Sequence, residues 1–191
     1  MLLLVRHGEA TANVHGVLLG RTDVPLTQLG QRQAEALRPL VPEGSAVVSS
    51  PLQRARATAE ALALRRQVEI DRRWIELDYG EHEGAAPGDL PDELWRRWRA
   101  DPGFRPAGGE SLADVGARVR EACEELFAPG GRARREDVVV VSHVSPIKAA
   151  VAWALGIPDE AAWRMHLSTG SLTRVDWGTG APLLRAYNVV P

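Results

Sequence analysis

Three short stretches of the 191-residue chain carry residue types that suit a single chemistry. The apolar run Leu2-Leu3-Leu4-Val5 breaks into Arg6-His7-Gly8-Glu9, with Asn13 shortly after. Val47-Val48-Ser49-Ser50 breaks into Pro51-Leu52-Gln53-Arg54, and the valine run from Val138 to Val141 breaks into Ser142-His143-Val144-Ser145-Pro146. Taken singly, a polar group after an apolar run is an ordinary solvated turn. Three of them together place two histidines and two arginines at corresponding points of the pattern. Arginine offers a planar fork of donors that matches phosphate oxygens and stays charged. Histidine is the side chain that serves as neutral nucleophile or as cation near pH 7. No cluster of Asp and Glu stands at these points, so the reading is a phosphate site without magnesium, its positive charge supplied by arginine. Gly8, lacking a Cβ, is expected to let the backbone pass close to the bound anion.

Those residues converge only if the runs before them are neighbouring strands. Residues 2–5 and 138–142 read as strands buried on both faces of a sheet, with weaker candidates at 46–49 and 68–70. Helical spacing predicts helices over 28–40 after Thr27, 52–64 after Ser50-Pro51, 112–127 after Ser111 and 147–155 after Ser145-Pro146. Gly156 reads as the residue that ends the last of these. Residues 172–177 and 183–189 read as late strands joined by Gly178-Thr179-Gly180. Strands alternating with helices imply an α/β sandwich with a largely parallel sheet, whose ligands bind beyond the carboxyl ends of the strands. Two helix N-termini there would add N–H groups for an anion. Arg54 and Arg56 lie roughly 200° apart around a helix, so at most one faces the site. The stretch 71–110 is rich in Gly, Pro and charge, with Trp95 and Trp98 in a short predicted helix over 92–100. It is expected to be an excursion over the sheet edge that forms a lid or substrate wall.

Composition narrows the class. The length suits one domain spanning 1–191 with a substantial core. A net charge of -2 provides no field for nucleic acid or anionic membranes, and neither is expected as a partner. Cys123 is the only cysteine, which excludes an intramolecular disulfide and a cysteine-based metal site. Residues 2–5 are too short a run for a signal peptide, and no stretch approaches the roughly 20 apolar residues of a membrane span. A cytoplasmic protein, monomeric or homodimeric, is the expectation.

The motifs together resemble the histidine phosphatase superfamily, the group of cofactor-dependent phosphoglycerate mutases and many small phosphomonoesterases. The resemblance rests on Arg6-His7-Gly8-Glu9 with Asn13, Ser50-Pro51-Leu52-x-Arg54-Ala55-x-x-Thr58-Ala59, Glu76-x-x-x-Gly80-x-x-Glu83-Gly84 and Ser142-His143. Gly20-Arg21-Thr22-Asp23-x-Pro25-Leu26-Thr27-x-x-Gly30 is similar to the family's usual lead-in to the first long helix. It implies a three-layer α/β/α sandwich with a mostly parallel central sheet, and no cofactor or metal. By the same resemblance His7 takes the phosphoryl group, Arg6, Arg54 and His143 surround its oxygens, and Asn13 hydrogen-bonds one of them. Arg21, Thr22 and Val144 are placed at the substrate. Glu76 is the general acid that protonates the leaving alcohol and then the base for water. Asp78, Glu81, Glu83 and Glu9 are nearby carboxylates, and only the family register selects Glu76. Trp74 stands where leucine is usual. Val144 stands where many relatives have glycine, which sets the backbone further from the phosphate.

The distance in sequence from Glu76 to His143 is short for a mutase, whose bisphosphate intermediate needs extra basic residues. The expected function is therefore hydrolysis of a small phosphomonoester, with a likeness to α-ribazole phosphatases and broad acid phosphatases. The alternatives are a phosphoglycerate mutase and a non-catalytic phosphate-binding module; the latter needs neither a nucleophile nor an acid.

Overall fold

The computed structural model describes residues 1–63 and 67–191. Leu64, at the end of the expected helix over 52–64, and the pair Arg65-Arg66 lie outside the described residues. The apolar runs form β1 (Leu2–Arg6), β2 (Ala46–Ser49), β3 (Val68–Ile70), β4 (Val138–Ser142), β5 (Leu172–Trp177) and β6 (Pro182–Val189). One sheet holds them in the order β3-β2-β4-β1-β5-β6. β3, β2, β4 and β1 run parallel, while β5 and β6 close the other edge as an antiparallel hairpin.

The unbroken apolar strands are explained by helices on both faces. Leu2 and Leu4 of β1, with Val138 and Val140 of β4, point into a core completed by α4 (Leu112–Phe127) and α5 (Val144–Leu155). Leu3, Val5, Val139 and Val141 point the other way, onto α1 (Gln28–Ala36) and α2 (Gln53–Leu62) through Leu37, Ala55, Ala59 and Leu62. The result is the expected α/β/α sandwich. Between β3 and α4 the chain makes three 3-10 turns and α3 (Asp92–Ala100), and Trp98 of α3 is fully buried.

Several helix starts and ends differ from expectation, for physical reasons. The helix over 28–40 stops at Ala36 and tightens into a 3-10 turn at Arg38–Leu40, where Pro39 has no N–H to continue the ladder. α2 begins at Gln53, not 52, because its first N–H donates to Asp23 Oδ1 at 2.7 Å rather than to a cap of its own. α5 begins at Val144, three residues before the expected start, because the carboxylate of the distant Glu76 accepts the N–H groups of Val144 and Ser145. α4 starts as read, with Ser111 and Asp114 in a capping box.

The role expected for Gly8 is corrected. A Cβ on Gly8 would drive into the carbonyl of Gly30 in α1, and one on Gly30 into the carbonyl of Glu9. The two glycines let the end of β1 lie backbone against backbone on α1, so the missing side chain serves packing, not approach to an anion. Gly30→Ala should therefore cost about 1–3 kcal/mol through overpacking, seen as a lower midpoint in chemical denaturation. An unchanged midpoint would contradict this packing.

Candidate active site

Parallel register aligns the carboxyl ends of β1, β4 and β2, with Arg6 opposite Ser142. His7 leaves β1, His143 leaves β4 as the residue capping α5, and Arg54 sits in the first turn of α2. The two imidazoles meet edge to face, 5.0 Å between ring centres. His7, Arg54, His143 and Glu76 are each at most 3% exposed. Arg56 faces solvent, as the helical angle requires.

Hydrogen bonds fix the tautomer of His7. Its Nδ1 lies 2.6 Å from the carbonyl oxygen of Gly8, which can only accept, so Nδ1 carries the proton. Nε2 is left with a lone pair, and Arg54 Nε donates toward it at 3.3 Å. The other Arg54 nitrogens donate to the carbonyls of Thr22 at 2.8 Å and Gly20 at 2.6 Å. Arg6 donates to the carbonyl of Leu167, and its Nε is buried without a partner. Among the described residues neither guanidinium contacts a carboxylate; both are held by neutral oxygens.

These cations govern the histidines. Burial, then Arg54 and Arg6, push His7 well below the usual imidazole range. Burial and Arg54 do the same to His143, with His7 and Arg6 adding smaller contributions. His143 Nε2 lies 2.7 Å from Ser50 Oγ, and its Nδ1 is buried without a partner. Both rings are held neutral at pH 7.

Glu76 reaches the site from the segment after β3. Its Oε1 accepts from the N–H of Leu77 at 2.7 Å and of Ser145 at 3.1 Å; Oε2 accepts from Val144 at 3.0 Å. The carboxylate thus sits at the positive end of α5, and Oε2 keeps a lone pair for a proton. The competing carboxylates are engaged elsewhere. Glu83 accepts the N–H groups of Gly20, Arg21 and Thr22. Asp78 pairs with Arg21 and accepts from Gly80, and Glu9 accepts from the Thr27 hydroxyl. Glu81 lies beside His82.

Other residues expected at the substrate are placed differently. Arg21 spends its guanidinium on Asp78 and Glu110, at 3.1 and 3.2 Å. Thr22 contributes only backbone, its N–H to Glu83 and its carbonyl to Arg54. The N–H of Val144 is taken by Glu76, and that of Gln53 by Asp23, so the first N–H groups of α5 and α2 are not free for an anion as expected. Asn13 folds back, its Oδ1 accepting from the N–H of Ala10 at 2.9 Å. His15 and His166 are exposed. Sequence reasoning missed the part played by Glu83. It clamps the very loop whose carbonyls hold Arg54, and the only signal was its place in the Gly80-x-x-Glu83-Gly84 motif.

A profile of the histidine phosphatase superfamily (branch 1) matches residues 2–190. The chain belongs to that superfamily. The bifunctional protein Rv2228c of Mycobacterium tuberculosis is 38% identical over 196 residues, covering 98% of this chain and 53% of that protein. The chain thus spans about half the length of this mycobacterial relative. A protein of Proteus mirabilis called Probable phosphoglycerate mutase GpmB is 35% identical over 182 residues, covering 91% of this chain and 83% of the other. Among solved structures, the α-ribazole phosphatase of Shigella flexneri superposes with a TM-score of 0.84 at 30% identity, over 98% of this chain and 96% of that one. Among the described residues no helix is long and apolar enough to cross a membrane, and no group of three or more His, Cys, Asp or Glu could hold a metal ion.

The neutral histidines carry a prediction about acid. An unfolded imidazole takes up its proton near pH 6.5, while His7 and His143 resist it in the folded protein. Below that pH the unfolded chain binds more protons, so stability falls as pH drops from about 6.5. The denaturation midpoint should decline over this window, and less steeply in a His7→Gln, His143→Gln protein. Equal slopes for the two proteins would contradict the reading.

Proposed function

We propose that the protein is a phosphoric monoester hydrolase that acts without a metal ion on a small phosphomonoester, through a phosphohistidine on His7. The observation that carries this is the unprotonated Nε2 of His7 beside Arg54, in a site where neither Arg6 nor Arg54 contacts a carboxylate. A phosphate dianion supplies the missing negative charge.

His7 Nε2 attacks phosphorus as the ester P–O bond breaks, and the proton on Glu76 passes to the leaving alkoxide. Arg6, Arg54 and His143 surround the equatorial oxygens, where charge stabilisation and positioning do most of the work. Glu76, now ionised, takes a proton from water as the water attacks the phosphohistidine. Inorganic phosphate leaves and His7 is restored. Two easier steps replace one hard one. The stretch 71–110, which carries Glu76 and α3, forms the wall on the leaving-group side.

A mutase reading is favoured by the name of the Proteus relative. Hydrolysis is supported over it by the arginines of α3, which follow the acid in the chain before His143. Arg96 pairs with Glu93, Arg97 lies over Phe104 and Arg99 over Trp95, so none is reserved for a second phosphate. With 3-phosphoglycerate and a bisphosphate primer, phosphate release should exceed isomerisation; the reverse would establish the mutase.

Hydrolysis of para-nitrophenyl phosphate should persist under exhaustive chelation and vanish in a folded His7→Ala protein. Loss on chelation that magnesium or zinc restores would overturn the metal-free reading. Glu76→Gln should lower turnover of an alkyl phosphate by about 10²–10⁴-fold. With the aryl ester, whose phenolate needs little protonation, the variant should give a burst of nitrophenol followed by slow turnover. Equal impairment on both substrates without a burst would move the acid role away from Glu76.

A further inference from the structure

The segment that carries Glu76 is neither strand nor α-helix, so no regular ladder holds its backbone. Its carbonyl oxygens are engaged by groups from elsewhere in the chain. Arg118 of α4 donates Nη1 to the carbonyl of Arg73, and Nη2 to that of Glu76 itself at 3.4 Å. The Ser142 hydroxyl, one residue before His143, donates to the carbonyl of Trp74 at 2.7 Å. The N–H of Glu110 donates to the carbonyl of Asp78 at 2.9 Å.

Arg118 differs from the arginines beside His7 in having a carboxylate of its own. Its Nε and Nη2 meet the two oxygens of Glu110, at 2.9 and 3.0 Å, and Glu110 also accepts from Arg21 at 3.2 Å. Both side chains are largely buried, 17% and 14% exposed. A guanidinium matched by a bidentate carboxylate is both oriented and neutralised. Arg118 therefore offers a phosphate little charge. It offers a fixed fork, whose remaining donors end on the backbone on either side of Trp74 and Ile75.

We propose that Arg118 and Glu110 are positioning residues for the acid. The pair sets where the backbone of Glu76 lies, and through it the reach of the carboxyl group toward the leaving oxygen; neither residue touches substrate. This rests on the reading of Glu76 as general acid.

The test compares kcat/KM, which reports formation of the phosphohistidine, for an alkyl phosphate and for para-nitrophenyl phosphate. A displaced acid harms only the ester whose leaving group needs a proton, whereas a loosened fold harms both. Arg118→Met should lower the alkyl value about 10- to 100-fold, mainly through kcat, and leave the aryl value nearly unchanged. Arg118→Lys, which keeps the charge without the fork, should restore only part of the loss. Glu110→Gln should show the same selectivity with a smaller loss, and gives the reading if Arg118→Met does not fold. Added to Glu76→Gln, Arg118→Met should lower the alkyl value little further, because the group it positions is gone. Equal losses on both esters, no loss on either, or full additivity with Glu76→Gln would overturn the proposal. If Glu76→Gln is selective and the Arg118 and Glu110 variants are not, the proposal falls and the phosphatase reading stands. If Glu76→Gln is itself unselective, the acid assignment falls and the proposal falls with it.

Discussion

The site depends on holding positive charge beside a histidine without a neutralising carboxylate in contact. Arg54 is fully buried, yet its fork ends on the carbonyls of Gly20 and Thr22 and on His7. Arg6 is anchored to the carbonyl of Leu167. Taking a guanidinium out of water is costly unless a counter-charge is supplied, and carbonyl oxygens orient the cation without cancelling it. Much of the surrounding architecture serves this arrangement. Glu83 clamps the Gly20–Thr22 backbone by three N–H bonds, one step removed from the cation it positions. Thr58 links Gly8, which follows His7, to the backbone of Arg54.

The same charges set the state of His7. Without them, burial alone would favour a neutral imidazole; with them, a proton on Nε2 is opposed by two nearby cations as well. His7 is thereby held neutral, with the lone pair of Nε2 beside Arg54, as the proposed attack on phosphorus requires. The negative group, Glu76, is kept apart from the guanidiniums by a different device. Its oxygens are held by Leu77 and by the first two N–H groups of α5, so the helix dipole, not an ion pair, fixes it. Two cations and a buried carboxylate thus lie near the same histidines, without a salt bridge to one another among the described residues.

Much of this was legible in the sequence, and what was not has a common cause. The valine run of β4 and the alternating sides of Leu2 to Val5 declare buried strands, and three strand ends converge as the pattern requires. Ser111 announces α4 because its cap lies within the same few residues. α2 and α5 start elsewhere than read because Asp23 and Glu76, far away in sequence, take their first N–H groups. Gly8 was misread because its reason, Gly30, becomes its neighbour only in the folded chain. Glu76 among five nearby carboxylates and Arg21 among the arginines show the same limit. Residue type is local, whereas direction is set by distant partners such as Val144 and Asp78.

The central claim is that the Gly8 carbonyl and the two arginines leave Nε2 of His7 as the phosphoryl acceptor. It is tested most directly by quenching the wild-type protein with alkali during turnover of an aryl phosphate, where phosphohistidine survives, and locating the phosphorus by mass spectrometry and by ³¹P–¹⁵N coupling. The account predicts a single phosphorylated residue, His7, bonded through Nε2. Phosphorus on Nδ1, on His143, or on no histidine at all would contradict it.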